Sequence, residues 1–276
     1  MSAAGGSGQT SVFRSKNVQY CAVVVASQEE RIAFFKQFMG GFQLLFNALE
    51  NRIVENGEGW QLHLTEWPYP LFNRVFIHTL RPAAMVEVLE ILEKNDVPVL
   101  INLIGSGLAH VNALQDAGYV LRNTTPFMIW ISDDSQDEFV LRDGLSVQQL
   151  EVSSLNTLKQ IYQESFELGD DPINLIGTTL FASPFAATYG LFDNDELVSC
   201  VMAIKHEGAI GIWNMATPIA QQKHGYGEQL LRYVMKMHKD LGVPRFFLSS
   251  STAGKALYDK CGWQTLDYMP VLTKAV

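Results

Sequence analysis

The stretch Gln222-Lys223-His224-Gly225-Tyr226-Gly227 decides the reading of this chain. It lies between an apolar run ending near Thr217 and an amphipathic run from about Gly225 to Leu241, which Gly242 and Pro244 bring to a stop. Two glycines let the backbone turn tightly, and their missing side chains let a ligand approach the amides. The unpaired N–H groups that open the following helix, with the helix dipole behind them, favour phosphate. Lys223 and His224 add donors beside them. Such a pattern arises by chance on the order of once per thousand positions at average composition, so its surroundings carry the weight.

Outward from this turn the chain alternates. Leu145–Glu151 reads as a strand, and Ser153–Phe166 as a helix with Ser153 as its cap and Leu155, Leu158, Ile161 and Tyr162 on one face. Ala186–Phe192, Leu197–Lys205 and Ala209–Ala216 read as three strands joined at Asp193-Asn194-Asp195 and Glu207-Gly208. Beyond the long helix, Arg245–Ser249 is a strand, Gly254–Lys260 a helix and Trp263–Leu272 a last strand.

The first half repeats the end of this order. Val97-Pro98-Val99-Leu100-Ile101-Asn102-Leu103 resembles Val243-Pro244-Arg245-Phe246-Phe247-Leu248-Ser249, and Ala113–Tyr119 resembles Ala256–Trp263. One recurrence of strand, helix and Gly-aromatic strand implies two copies of one fold rather than a solenoid. The acidic stretch Ser132-Asp133-Asp134-Ser135-Gln136-Asp137-Glu138 lies between the copies and reads as an exposed linker.

These residues resemble the GCN5-related N-acetyltransferase (GNAT) superfamily. Gln222, Gly225 and Gly227 match its Arg/Gln-x-x-Gly-x-Gly/Ala turn, and Ala216-Thr217-Pro218 resembles the strand end that leads into it. Leu248-Ser249-Ser250-Ser251 and Ala256–Trp263 resemble the superfamily's Asn/Ser-x-x-(Ala/Gly)-x-x-Leu-Tyr-x-x-x-Gly-Phe ending. The match is close over about sixty residues and looser over 140–276. Gln222 stands where Arg is commoner, the proline lies one residue further from the turn, and Trp263 replaces Phe. None of these changes removes a backbone donor.

The resemblance implies an α/β (α+β) fold of two tandem GNAT-like domains, each a mixed, mostly antiparallel sheet flanked by helices. The expected divisions are a tail at 1–16, a degenerate copy at 17–132, a linker at 133–138 and an acetyl-coenzyme A-binding domain at 139–276. Trp67–Phe76 resembles the Pro-x-Phe-Asn-x-Val stretch of such degenerate copies, and Arg81-Pro82-Ala83-Ala84-Met85 enters a helix without a glycine turn. Only the second copy is therefore expected to bind the cosubstrate.

By the same resemblance, acetyl-coenzyme A lies between splayed fourth and fifth strands. Its contacts would be Met215, Ala216, Thr217, Gln222, Lys223, His224, Gly225, Tyr226, Gly227 and Ser251, with Tyr258 as the catalytic general acid. A phenol is protonated at neutral pH and can pass its proton to a thiolate. Ser251 could equally cap the helix that follows it, and Tyr258 could simply pack. No base is assigned; His206, Glu207, Glu164, Glu167, Asp170 and Asp171 all read as solvated. The expected reaction is acetyl transfer to a primary amine on a small molecule, a protein lysine or an N-terminus. The alternative is a coenzyme A-binding or interaction module without turnover.

Composition fits this picture. The 276 residues are 47% hydrophobic and 18% charged, enough apolar side chain for a packed interior. A formal net charge of −9 and the absence of a basic stripe argue against nucleic acid as partner. No apolar run reaches the ~18–20 residues of a membrane-spanning helix. Cys21, Cys200 and Cys261 are far apart, as reduced thiols of a cytoplasmic protein would be, and the opening MSAAGGSGQT reads as a frayed tail rather than a secretory signal. The six histidines lack HxxxH or HExxH spacing and CxxC is absent, so no metal is expected. Gly105-Ser106-Gly107 lacks the five-residue nucleophile elbow and reads as a plain loop. A monomer or a homodimer is equally compatible with the sequence.

Overall fold

The start of helix α1 (Gln28–Phe46) is built by a capping box. Ser27 Oγ accepts from the Glu30 amide at 3.2 Å while Glu30 Oε2 accepts from the Ser27 amide at 2.9 Å. Phe34, Phe35, Phe38, Met39, Phe42 and Leu45 recur at three- and four-residue spacing and are all buried. The computed structural model describes residues 14–15, 18–19, 27–46, 52–95, 97–132, 139–179, 181 and 183–275. The expected tail (apart from residues 14–15), the linker at 133–138 and Cys21 lie outside them.

A two-residue pair, β1 (Arg14–Ser15) and β2 (Val18–Gln19), precedes α1. The first half continues as β3 (Arg52–Gly57), β4 (Trp60–Thr65), β5 (Arg74–Ile77), α2 (Pro82–Lys94), β6 (Leu100–Leu103), α3 (Val111–Asp116) and β7 (Tyr119–Ile131). The second half runs β8 (Leu145–Gln149), α4 (Leu155–Phe166), α5 (Asp170–Thr179), β9 (Ala186–Asp193), β10 (Glu196–His206), β11 (Ala209–Ala216), α6 (Tyr226–Asp240), β12 (Arg245–Ser249), α7 (Lys255–Lys260) and β13 (Gln264–Lys274). From α1 onward the first half thus repeats the second, with one helix in place of α4 and α5. Gly118 and Gly262 adopt left-handed φ of 87° and 82° at matching helix ends, which is why both copies read Gly-aromatic.

The expectation of a sheet for each copy is corrected. The strands form one 11-stranded sheet in the order β3-β4-β5-β6-β13-β7-β12-β11-β10-β9-β8. The last strands are exchanged: β13 of the second half pairs with β6 of the first, and β7 of the first pairs with β12 of the second. They then pair with each other from Gln264↔Ile129 to Lys274↔Tyr119, at the centre of a near-palindromic order.

Two layers of helices cover the sheet. On one face, α2 and α3 cover the first half and α6 and α7 the second, each over its own core. On the other, α1, α4 and α5 share a single core that spans both halves. Phe38 meets Phe127 edge-on at 5.3 Å and stacks on Trp213 at 5.2 Å, so α1 roofs β7 and also β11, a strand of the other half. Ser153 does not cap α4. It lies inside a short 3-10 turn (Val152–Ser154), and the N-cap position falls to Ser154, whose side chain makes no capping bond.

His63 of β4 is a polar exception within this packing. It is 3% exposed, and burial, helped by Arg52, pulls its proton affinity down to about 4. A depressed folded-state value means that the neutral ring's contribution is complete above the ordinary histidine range. It is lost as pH falls from about 6.5 towards 4. The span corresponds to roughly 3 kcal/mol at ~1.4 kcal/mol per unit. His63→Phe should therefore flatten the acid side of the stability profile; urea unfolding at pH 7 and pH 4.5 measures the difference, and equal pH dependence in both proteins would contradict it.

Candidate functional site

Strands β11 and β12 are parallel but stay together only at Ile210↔Phe246 and Gly211↔Phe247. Beyond Gly211 the two diverge, and the β12 side of Ile212–Ala216 has no strand partner. A bulge drives the divergence: the β10 pairing slips between Cys200↔Ala216 and Met202↔Trp213, and Asn214 adopts φ of 46°. The equivalent strands of the first half stay zipped from Arg74↔Leu100 to Ile77↔Leu103. Their far end is plugged as well. Ser106 Oγ donates to the His78 carbonyl at 3.0 Å, and His110 Nε2 lies 2.8 Å from the Thr79 carbonyl. A Cβ on Gly107 would stand 2.0 Å from the Ile77 carbonyl oxygen, so only glycine lets the plug seat. Gly105-Ser106-Gly107 is thus a stopper rather than a plain loop, and the single slot among the described residues belongs to the second half.

The chain leaves β11 through Thr217, whose side chain and carbonyl are held from three sides. Ser199 Oγ lies 2.9 Å from Thr217 Oγ1, and Ser165 Oγ donates to the Thr217 carbonyl at 3.3 Å. Gln222 Nε2 donates to the same carbonyl at 3.2 Å, so this side chain braces the loop it begins. Lys223 and Gly225 then adopt φ of 65° and 79°, with His224 between them outside the left-handed region. Alternation of this kind turns successive N–H groups towards one concavity, the arrangement that binds anions. Among the described residues no acceptor meets the N–H groups of residues 223–228, and α6 opens without a side-chain cap.

The loop is clamped from beneath by residues that the sequence reading passed over. Arg142 Nη1 donates to the His224 carbonyl at 3.2 Å, and its guanidinium lies 5.2 Å from the centre of the Tyr226 ring. The Tyr226 hydroxyl donates to Asp193 Oδ2 at 2.5 Å, and this bond raises the phenol's proton affinity. Glu228, in the first turn of α6, would repel a phosphate if left bare. Burial alone would raise its proton affinity, but hydrogen bonds from Lys260 and Arg232, at 2.6 and 3.1 Å, outweigh that and keep it ionised and neutralised.

Gly227 faces the slot itself. A Cβ there would meet Met215 Cε at 3.3 Å, Thr217 Oγ1 at 3.5 Å and Leu257 Cδ2 at 3.5 Å. Gly225 differs, because a Cβ there meets nothing within 4 Å and its constraint is the left-handed backbone. On the opposite wall, the Tyr258 hydroxyl points at Met215 Sδ, 3.7 Å away. A thioether accepts weakly, so the phenolic proton is available to a better acceptor. Burial, and after it Cys261, pushes Tyr258 well above the ordinary phenol value. Ser251 Oγ accepts from the Gly254 amide at 3.0 Å and so caps the turn into α7.

The sequence candidates therefore gather, with Met215, Ala216, Thr217, residues 222–227, Ser251 and Tyr258 ringing the end of β11. His206 and Glu207 do not join them. They sit at the opposite end of β11, about 23 Å away at ~3.3 Å per residue. Asp170 accepts from Gln163 Nε2 at 2.8 Å, and Asp171 accepts from the Tyr69 hydroxyl at 3.3 Å, which ties the first half to α5.

The fold is that of the GCN5-related N-acetyltransferases. The profile of the Acetyltransferase (GNAT) family matches residues 155–263, from α4 to the residue before β13. A GCN5-related N-acetyltransferase from Kribbella flavida superposes with a TM-score of 0.68 at 14% identity, covering 89% of this chain and 96% of its own. One from Sphaerobacter thermophilus gives 0.58 at 13% identity, covering 78% and 76%. A Drosophila protein gives 0.57 at 12% identity, covering 91% and 97%. No curated protein matches the sequence. At these identities the likeness is one of fold, and for the GNAT fold of this chain it extends over both halves. No helix among the described residues is long and apolar enough to cross a membrane.

Proposed function

We propose that the second half binds acetyl-coenzyme A in the β11–β12 slot and transfers its acetyl group to a primary amine on a small molecule, a lysine or a protein N-terminus. The observation that carries this reading is the conjunction of an unzipped parallel strand pair with a concavity of acceptor-free N–H groups at residues 223–228. The concavity suits a pyrophosphate, and the freed backbone of Ile212–Ala216 suits an extended amide-bearing arm. Bound there, the cosubstrate supplies an activated acetyl thioester.

The chain's own residues supply position and a proton. The concavity and the β11 edge fix the thioester in line for the amine, and backbone N–H groups of β11 face the oxygen on which negative charge grows. The amine nitrogen forms the new C–N bond, the C–S bond breaks, and Tyr258 passes its proton to the departing sulfur. The amine's surplus proton leaves to water. Burial weakens Tyr258 as an acid, but a thiolate formed in the same dry slot is correspondingly more basic.

Tyr258→Phe should therefore lower kcat about 100-fold, within the usual range for loss of an acid, while the Kd for acetyl-coenzyme A stays within about threefold. Equal turnover in the variant would remove Tyr258 from the mechanism. The reading as a whole is tested by following thiol release from acetyl-coenzyme A across a panel of small amines and lysine peptides. Amine-dependent release supports it. Binding without amine-dependent release would reduce the protein to a coenzyme A-binding module.

A further inference from the structure

The first half turns a polar surface towards α1. Strand register sets Gln61 and His63 of β4, Arg74 of β5 and Asn102 of β6 on one sheet face, with Phe76 between them. The corresponding strand of the second half, β10, gives Cys200, Met202 and Ile204 to the same core, so the fold does not require polarity here. Gln61, His63 and Asn102 are nevertheless buried, at 8%, 3% and 4% exposure.

Two of the three are accounted for within the chain. Gln61 Nε2 donates to Gln43 Oε1 of α1 at 3.2 Å, and Asn102 Oδ1 accepts from Arg74 Nη1 at 3.3 Å. His63 is not: both ring nitrogens are buried without a partner among the described residues, behind the edge of Phe42 at 5.5 Å. A buried polar atom left unpaired costs about 1–3 kcal/mol, so the position calls for an explanation. Arg74 is its cross-strand neighbour. The other hydrogen bond of Arg74 goes to the Leu71 carbonyl, and among the described residues no carboxylate pairs with it. Burial, and after it the neighbouring Arg122, draws its proton affinity down to about 10. In a chain of net charge −9, a half-buried cation, a second arginine beside it and an unpaired imidazole form a set of donors lacking an anion.

We infer that this face of the first half is a binding site for a small molecule bearing a carboxylate or a phosphate, held by Arg74 and His63. Arg74 is only half-buried, so the anion meets its guanidinium first. The neutral imidazole offers one N–H to an anionic oxygen and one lone pair to a ligand hydroxyl or N–H. The site is separate from the β11–β12 slot and does not depend on the acetyl-transfer reading.

The test is NMR of the full chain with 13C-labelled histidine, with His63→Phe identifying the His63 signal. Inorganic phosphate and lactate are titrated separately at constant ionic strength. The expected result is a saturable shift of the His63 Cε1–H signal and a rise of its titration midpoint by at least about one pH unit. Response to phosphate alone assigns a phosphate-bearing ligand, to lactate alone a carboxylate-bearing one, and to both a site open to either. Arg74→Gln should abolish the response. Arg74→Lys, which keeps the charge but not the planar fork, should weaken it at least tenfold and serves if Arg74→Gln does not fold. No saturable shift with either anion at about 20 mM, some twenty times a millimolar Kd, overturns the inference. So does a response undiminished by substitution of Arg74.

Discussion

In the Gly227→Val variant, acetyl-coenzyme A should bind at least a hundredfold more weakly while the protein stays folded. Gly227 lies in the first turn of α6, with the end of β11 on one side and Leu257 of α7 on the other. Its would-be Cβ touches Met215 Cε at 3.3 Å, a flexible methyl that can give by a few tenths of an ångström, so the native fold absorbs the first carbon. The two further methyls of valine then occupy the slot. Glycine is itself a poor helix former, so the exchange costs the helix little. Gly225→Val should also lose binding, by a different route. Open space surrounds its Cβ, but φ of 79° excludes a β-branched residue, so the cradle must change shape rather than be filled. Calorimetric titration of acetyl-coenzyme A, with near-UV circular dichroism to confirm native packing, measures both. Unaltered affinity in a folded Gly227→Val protein would move the cosubstrate out of the slot.

Residues 139–276 produced alone should not fold cooperatively, although the GNAT profile lies wholly within them. That fragment lacks β7, which stands between β12 and β13 and pairs with both. It also lacks α1, whose Phe34, Phe35, Phe38, Met39, Phe42 and Leu45 are buried in the core spanning both halves. At about 1.5–3 kcal/mol for each large apolar side chain, losing these six removes on the order of 10 kcal/mol. That is comparable to the whole stability of a typical domain. The fragment is expected to aggregate or to keep secondary structure without near-UV signal, and co-expression with residues 1–132 should recover one soluble complex. A sharp, reversible unfolding transition of the fragment alone would show that the exchanged strands are dispensable.

Much of the second half was legible because its signals are local. The turns at Asn194-Asp195 and Glu207-Gly208 place paired left-handed residues between consecutive strands, and Gly242 and Gly262 end their helices where glycine leads one to expect. The turn into α6 was legible for the same reason, since a short segment carries both its glycines and its helix start. The exchange of β7 and β13 left no such trace. Each strand has the same apolar pattern whether it pairs within its own copy or across to the other, so two sheets and one sheet read alike. Helix α1 has local signals too, in Ser27 with Glu30 and in its phenylalanine spacing, but the reading of the sequence passed over them, and nothing in them tells that the helix roofs the second half. Arg142 and Asp193 were missed because an exposed arginine and a hairpin aspartate look alike in any sequence; only the fold brings them beneath Tyr226. The stopper at Ser106 and His110 is likewise a matter of tertiary contact.

Amide hydrogen exchange, mapped along the chain with and without acetyl-coenzyme A, tests the central claim most directly. The N–H groups of residues 223–228 lack acceptors in the described structure, so they should exchange quickly in the free protein. The account predicts at least tenfold slowing at residues 212–217 and 223–228 on binding, and no change at residues 77–82, the matching segment of the plugged first half. Exchange at 223–228 unaffected by acetyl-coenzyme A, or protection confined to the first half, would contradict it.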